Sequence, residues 1–337
     1  MLMSMALRYL DNSFNNSFIM KKITLSYFLF LFQFTIFLTF NSYSQDYSPG
    51  FELLRLEKEE NIDYDTNSYL MLKSIVETVS KKIQSQQTYS KQQAINILKT
   101  IGNVLGAEFK ISYFSDNIPS YSKAISLRKF DCYEYTFTYL TIASHLNLPL
   151  YAIISPQHIS ILWQDASNTI YWETTSNTVE SVSHYVRWRN IPQVGLEKGI
   201  FLKKLNKNEL MAIIYDRLGY YYMNRNSNHF NPFEASDCYK KAIKLNPNDI
   251  YAWYNRGLVL FRLQVYKEAI ECYNKAIEIY PAFIEAYINR GNAKGKLKDY
   301  KSALLDYNKA IELNPDLASA YLNRALTKGE LQNYKET

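Results

Sequence analysis

A block of sequence returns every 34 residues towards the C-terminus, and no other feature constrains the fold as tightly. Ala252-Trp253-Tyr254-Asn255-Arg256-Gly257 comes back as Ala286-Tyr287-Ile288-Asn289-Arg290-Gly291 and again as Ala320-Tyr321-Leu322-Asn323-Arg324-Ala325. Tyr266, Tyr300 and Tyr334 keep the same interval, as do Ala269 and Ala303, Ala276 and Ala310, and Pro281 and Pro315. Small residues at fixed points allow the two helices of a hairpin to approach closely, and a proline closes the second helix. An earlier copy carries Leu218-Gly219, Tyr222, Ala235, Tyr239, Ala242 and Pro247, its turn longer by about four residues. The period predicts an all-α solenoid of helical hairpins, each burying its apolar face only against its neighbours. The last copy stops at Thr337, midway through its hairpin, so the chain is expected either to be a fragment or to fray over its final stretch.

At 337 residues the chain has room for a second domain with its own core ahead of the repeats. Its start reads as an export signal. Met20-Lys21-Lys22 is a short basic head, residues 23–40 are an uncharged apolar run, and Ser42-Tyr43-Ser44 before Gln45 is a small-x-small cleavage pattern. Residues 1–44 are therefore expected to be a leader, with the rest of the chain exported to the periplasm or cell envelope. The first 19 residues spoil this grammar and point to Met20 as the true start. The 18 apolar residues also just reach spanning length, so an uncleaved anchor, the one expected tie to a membrane, stands as the alternative.

Net charge is +6, part of it from Arg8, Lys21 and Lys22 against Asp11 in the leader. What remains is weak and interspersed in sign, and no nucleic-acid partner is expected. The three cysteines, Cys132, Cys238 and Cys272, are an odd count, which argues against a disulfide framework. Cys238 and Cys272 occupy one repeat position on successive hairpins, roughly 9–10 Å apart once stacked, which is beyond disulfide reach. They read as small hydrophobes.

Between leader and repeats the character changes several times. Residues 45–68 are polar and turn-rich and read as a loose linker. Two amphipathic helices follow, with Tyr69, Leu72, Ile75 and Val76 on one face and Ile95, Leu98, Ile101, Val104 and Leu105 on another. A third helix is expected over 131–146, stopped by Asn147-Leu148-Pro149. Short β-rich runs succeed it at 150–155, 158–164 and 169–174, and a strand-and-loop tail over 181–205 leads into the repeats.

One arrangement in this middle region carries chemistry. Asp131 followed three residues later by Glu134 reads as a capping box, with Asp131 as N-cap. Cys132 then takes the first helical position, where free backbone N–H groups and the helix dipole favour an anion and lower a thiol pKa. A cysteine nucleophile also needs a base to shuttle protons and an acid to orient that base. The turn over 165–168 pairs Ile161 with Trp172 and Trp163 with Ile170, making one apolar face. His158 and Glu173 fall on the opposite face as diagonal neighbours within side-chain reach. A one-residue change in turn length would separate them, so a Glu173 pointing away from His158 would end the idea. Asp165 competes as the acid but sits in the turn. A cysteine at a helix start can equally be structural, and a histidine can simply bond a backbone carbonyl. No third nitrogen or sulfur ligand accompanies Cys132 and His158, so no metal is expected, and no cofactor either.

The segments Arg128-Lys129-Phe130-Asp131-Cys132-Tyr133-Glu134-Tyr135, Leu146-Asn147-Leu148-Pro149-Leu150, Ser155-Pro156-Gln157-His158 and Trp172-Glu173-Thr174-Thr175 resemble a transglutaminase-like domain. More closely, they are similar to a bacterial branch that commonly carries tetratricopeptide repeats behind it, and Lys198-Gly199-Ile200-Phe201-Leu202-Lys203 fits that branch too. The resemblance implies an α+β papain-like fold with Cys132 as nucleophile, His158 as base and Glu173 as orienting acid. Phe130, Ile159 and Asn177 stand where relatives often carry glycine, an aromatic residue and glycine, which leaves the oxyanion and substrate contacts open. The 34-residue copies, from Ile214 onward, resemble the tetratricopeptide repeat family.

The expected order is a leader (1–44), a linker (45–68), a papain-like transglutaminase-type α+β domain (69–205) and an all-α tetratricopeptide repeat solenoid (206–337), its last repeat truncated. The expected function is cysteine-dependent acyl transfer or peptide and amide hydrolysis, with a protein or peptide partner held on the concave face of the repeats. Asn255, Asn289 and Asn323 recur on the inner helices; such asparagines bond a bound peptide backbone in related repeats, or are simply the usual residue there. The alternative is an interaction scaffold that keeps the first domain only as structure.

Overall fold

The computed structural model describes residues 48–59, 64–86, 88–114, 120–223 and 230–336; the expected leader lies outside the described residues. Within the stretch read as a loose linker, residues 49–59 are helical instead. Helix α1 (Pro49–Glu59) buries Leu53, Leu54 and Leu56. Helices α2 (Thr66–Lys82) and α3 (Lys91–Asn103) stand where the apolar spacing predicts, the first capped by Asp65 and the second by a Ser90–Gln93 capping box. Leu72, Ile75 and Val76 are buried as expected, whereas Tyr69 is 44% exposed and lies beside Phe51. A π-helical turn (Val104–Glu108) extends α3.

A short parallel pair, β1 (Ser112–Tyr113) with β2 (Lys129–Phe130), flanks helix α4 (Tyr121–Leu127). The buried Glu57 carboxylate of α1 accepts the first N–H groups of α4, from Tyr121 at 2.6 Å and Ser122 at 2.8 Å. An anion at a helix start satisfies groups the helix itself leaves unpaired. Helix α5 (Cys132–Leu146) is central, with every residue from Glu134 to Ala143 buried, as for a helix enclosed on all sides. Asn147, left-handed at φ 52°, ends it.

Strands β3 (Leu150–Ser155), β4 (His158–Gln164), β5 (Thr169–Glu173) and β6 (Thr178–Glu180) form an antiparallel meander in that order. Strands β3 and β4 pack against α5, as do α1 and α2. Ile161 lies opposite Trp172 and Trp163 opposite Ile170, the register the turn predicts. After β6 the expected strand-and-loop tail instead begins with two short helices; the loop follows over residues 198–205, with Lys204 bridged to Ile153. Ser181 caps α6 (Val182–Trp188), and α7 (Gln193–Glu197) follows Pro192. At the first of these, the Ser181 cap, which accepts the His184 N–H, outweighed the β-like composition.

The C-terminal helical array comprises α8 (Lys207–Met223), α9 (Pro232–Leu245), α10 (Ile250–Arg262), α11 (Tyr266–Ile279), α12 (Ile284–Lys296), α13 (Tyr300–Leu313) and α14 (Ala318–Glu336). A Cβ added at Gly219, Gly257 or Gly291 would come within 2.8, 2.6 or 2.8 Å of Tyr239, Tyr273 or Tyr307. The recurring small residue is thus required by a ring from the partner helix. Cys238 and Cys272 are both buried. One hydrophobic cluster joins Tyr185, Ile191 and Phe201 to Ile250, Tyr280 and Phe283 of the repeats, so the array is docked on the preceding region, and residues from Ser48 onward form one compact unit. Among the described residues no helix is long and apolar enough to cross a membrane.

Candidate functional site

The start of α5 is the capping box the sequence suggests. The Asp131 side chain accepts the Tyr133 N–H at 2.7 Å, and Glu134 accepts the Asp131 N–H at 2.8 Å. Cys132 is therefore the first helical residue, and it is half-buried. The thiol does not behave as a helix start alone would dictate. Burial, and then the Asp131 carboxylate, push Cys132 up to about 12, against an N–H from Ile159 and the Arg217 guanidinium, which pull it down. The expectation of a lowered thiol pKa is corrected here: the cap that places Cys132 at the helix head also sets a carboxylate beside it.

His158 and Glu173 meet as the register requires. His158 Nε2 lies 2.7 Å from Glu173 Oε2, and both residues are 3% exposed. The carboxylate is bonded at both oxygens: Tyr185 Oη donates to Oε2 at 3.2 Å, while the Thr175 N–H and Oγ1 donate to Oε1 at 3.2 and 2.7 Å. Burial opposes its charge, yet the bonds from His158 and Thr175 hold it below the usual carboxylate range. A carboxylate that only accepts assigns the proton to Nε2 of His158 and leaves Nδ1 as an acceptor. Trp188 covers the imidazole edge-on, with ring centroids 5.3 Å apart. The chain reaches Cys132 one residue further on, through the Ile159 N–H; no hydrogen bond joins Cys132 to His158 itself.

The competing acid, Asp165, is committed to its turn. It accepts from Trp163 Nε1 at 2.7 Å and from the backbone of Ser167 and Asn168, and these bonds outweigh burial to hold it down to about 2. Asn177 is left-handed at φ 57° and accepts from the Tyr139 hydroxyl at 3.2 Å. Asparagine tolerates that region better than most side chains. Among the described residues no group of three or more His, Cys, Asp or Glu side chains converges as metal ligands would.

The repeat asparagines bond within the array. Asn255 Nδ2 donates to Asp216 Oδ1 at 2.9 Å, Asn289 Nδ2 to Tyr254 Oη at 2.9 Å, and Asn323 Nδ2 to Asn292 Oδ1 at 3.2 Å. Each therefore ties its inner helix to the preceding one. Sequence reasoning missed Tyr185, Thr175 and Arg217; of these, only Thr175 sits close enough in sequence to Glu173 to have been found by spacing.

The repeat block matches the family model described as tetratricopeptide repeat over residues 250–283 and 284–317, and one described as TPR repeat over residues 234–264. Among solved structures, the first TPR domain of the human RPAP3 protein is 26% identical, with 38% of this chain and 98% of that chain covered at a TM-score of 0.36. The Arabidopsis OM64 TPR domain is 24% identical, with 36% of this chain and 98% of that chain covered at a TM-score of 0.34. MamA from Desulfovibrio magneticus RS-1 is 22% identical, with 39% and 70% covered at a TM-score of 0.34. No curated protein matches the chain. The C-terminal helical array is thus a run of tetratricopeptide repeats, a module of protein–protein interaction.

Proposed function

We propose that this protein is an exported cysteine-dependent enzyme of acyl transfer or amide hydrolysis, with a papain-like, transglutaminase-type site that acts on a protein recruited by the repeats. The observation that carries this reading is the buried His158–Glu173 bond of 2.7 Å, on the strand whose next residue directs its N–H to Cys132. Held by Glu173, His158 presents Nδ1 as the base. It takes the Cys132 proton as sulfur attacks the carbonyl, then returns it to the leaving amine. Water or a second amine releases the acyl group from sulfur. Export rests on the signal-like grammar of residues 20–44.

A second reading, a scaffold whose first domain is structural, is favoured by one observation: the Cys132 thiol is pushed up to about 12 and makes no bond to His158. Intact-mass spectrometry after incubation with an activated acyl ester separates the two. The enzyme reading expects an adduct on Cys132 that is lost in His158→Ala. No adduct, together with unchanged capture of protein partners by Cys132→Ala, would leave the scaffold.

A further inference from the structure

Helix α8 opens the repeat array, yet its Arg217 turns away from the repeats into the capping box of α5. Arg217 Nη2 donates to Glu134 Oε1 at 2.9 Å and lies 3.4 Å from Asp131 Oδ2. Its guanidinium also sits over the Tyr133 ring, 4.6 Å from the centroid. Arg217 is 18% exposed and Glu134 3%, so solvent screens this cluster poorly. A second repeat residue meets the other half of the site. The Tyr251 hydroxyl, on α10, accepts the N–H of Gln157 at 3.3 Å. Gln157 is left-handed at φ 53° and immediately precedes His158.

We infer that the first two inner repeat helices are part of the reactive site, with Arg217 and Tyr251 as positioning residues that hold the Cys132 helix head and the His158 turn in register. The inference rests on Cys132 being the nucleophile. The ionisable groups that bear on the thiol are Asp131, Tyr133 and Glu134 at the head of its own helix, Tyr113 on β1 and Arg217 on α8. The two carboxylates oppose a thiolate, and the guanidinium supports it. The tetratricopeptide array therefore supplies a charge that the first domain's own cap lacks. Anything that displaces α8 would weaken the thiol's reactivity without touching it.

The test is the pH profile of iodoacetamide alkylation at Cys132 in the full chain, read by peptide mass spectrometry. Arg217→Met is expected to move the profile to higher pH and to slow labelling at neutral pH about tenfold, the effect of one pKa unit. Arg217→Lys, which keeps the charge, should restore most of the rate. Asp131→Asn keeps an N-cap residue but removes the opposing charge; it should move the profile the other way, and it carries the test if Arg217→Met does not fold. A purely structural role would lower the melting temperature and leave these profiles in place. An unshifted profile in folded Arg217→Met, or in Asp131→Asn, overturns the inference. Wild-type Cys132 that labels no faster than Cys238 and Cys272 would instead overturn the nucleophile reading on which it rests.

Discussion

Replacing Glu173 by alanine should destabilise the fold and disable the site together. The carboxylate is 3% exposed and accepts from His158, Tyr185 and twice from Thr175. Bonds to a charged acceptor contribute about 1.5–3 kcal/mol each, but burying the charge offsets much of that sum. Removing one partner of a buried polar pair costs about 3–5 kcal/mol overall, which lowers a melting midpoint by about 10 °C in a body of this size. Glu173→Gln separates the two effects. Its amide oxygen can still accept from Thr175, while its N–H faces Nε2 and drives the imidazole proton onto Nδ1. Stability should then fall by only about 1 kcal/mol, while activity falls about a thousandfold or more. The pH dependence follows from sign. Glu173 is held below its ordinary 4.5 in the folded state, so its contribution is full above pH 4.5 and is lost as pH falls through the folded value. The gap between wild type and Glu173→Gln in melting scans by circular dichroism should close in acid. An alanine variant that melts with the wild type, or a gap that persists unchanged in acid, would refute the reasoning.

Two further outcomes concern the repeats. Gly257→Ala puts a methyl 2.6 Å from the Tyr273 ring and should cost about 1–3 kcal/mol by overpacking; a denaturation midpoint equal to wild type would show that the ring gives way freely. Burial and the Asp249 carboxylate push Asp216 up to about 7, from an ordinary value of 3.8. A raised carboxyl stabilises below its unfolded pKa and loses that contribution as pH rises through the folded one. Asp216→Asn should therefore raise the melting midpoint above pH 7, with the gain fading towards pH 3.8; a gain independent of pH would contradict the assignment.

What could be read from the sequence was what local rules govern. The repeat was legible because Gly257 and Gly291 face Tyr273 and Tyr307 at a fixed interval, so one packing solution recurs. The β4–β5 register was legible because turn length and alternation settle it, and with it the meeting of His158 and Glu173. Cys132 at a helix head was legible from Asp131 and Glu134. What could not be read depends on distant partners. Helix α1 hid in polar sequence because its buried Glu57 is satisfied by the start of α4, about sixty residues on. Arg217 reaches Glu134 across 83 residues. The thiol was misjudged because burial, a tertiary quantity, outweighs the helix start.

The central claim is that Cys132 is the reactive thiol because His158, held by Glu173, can take its proton. Competitive labelling of the native protein with an iodoacetamide probe, resolved by cysteine, tests it most directly. Cys132 should label first, with a rate that drops in His158→Ala, while Cys238 and Cys272, 4% and 2% exposed, should label only on unfolding. Cys132 labelling no faster than those two, or at a rate indifferent to His158, would contradict the account.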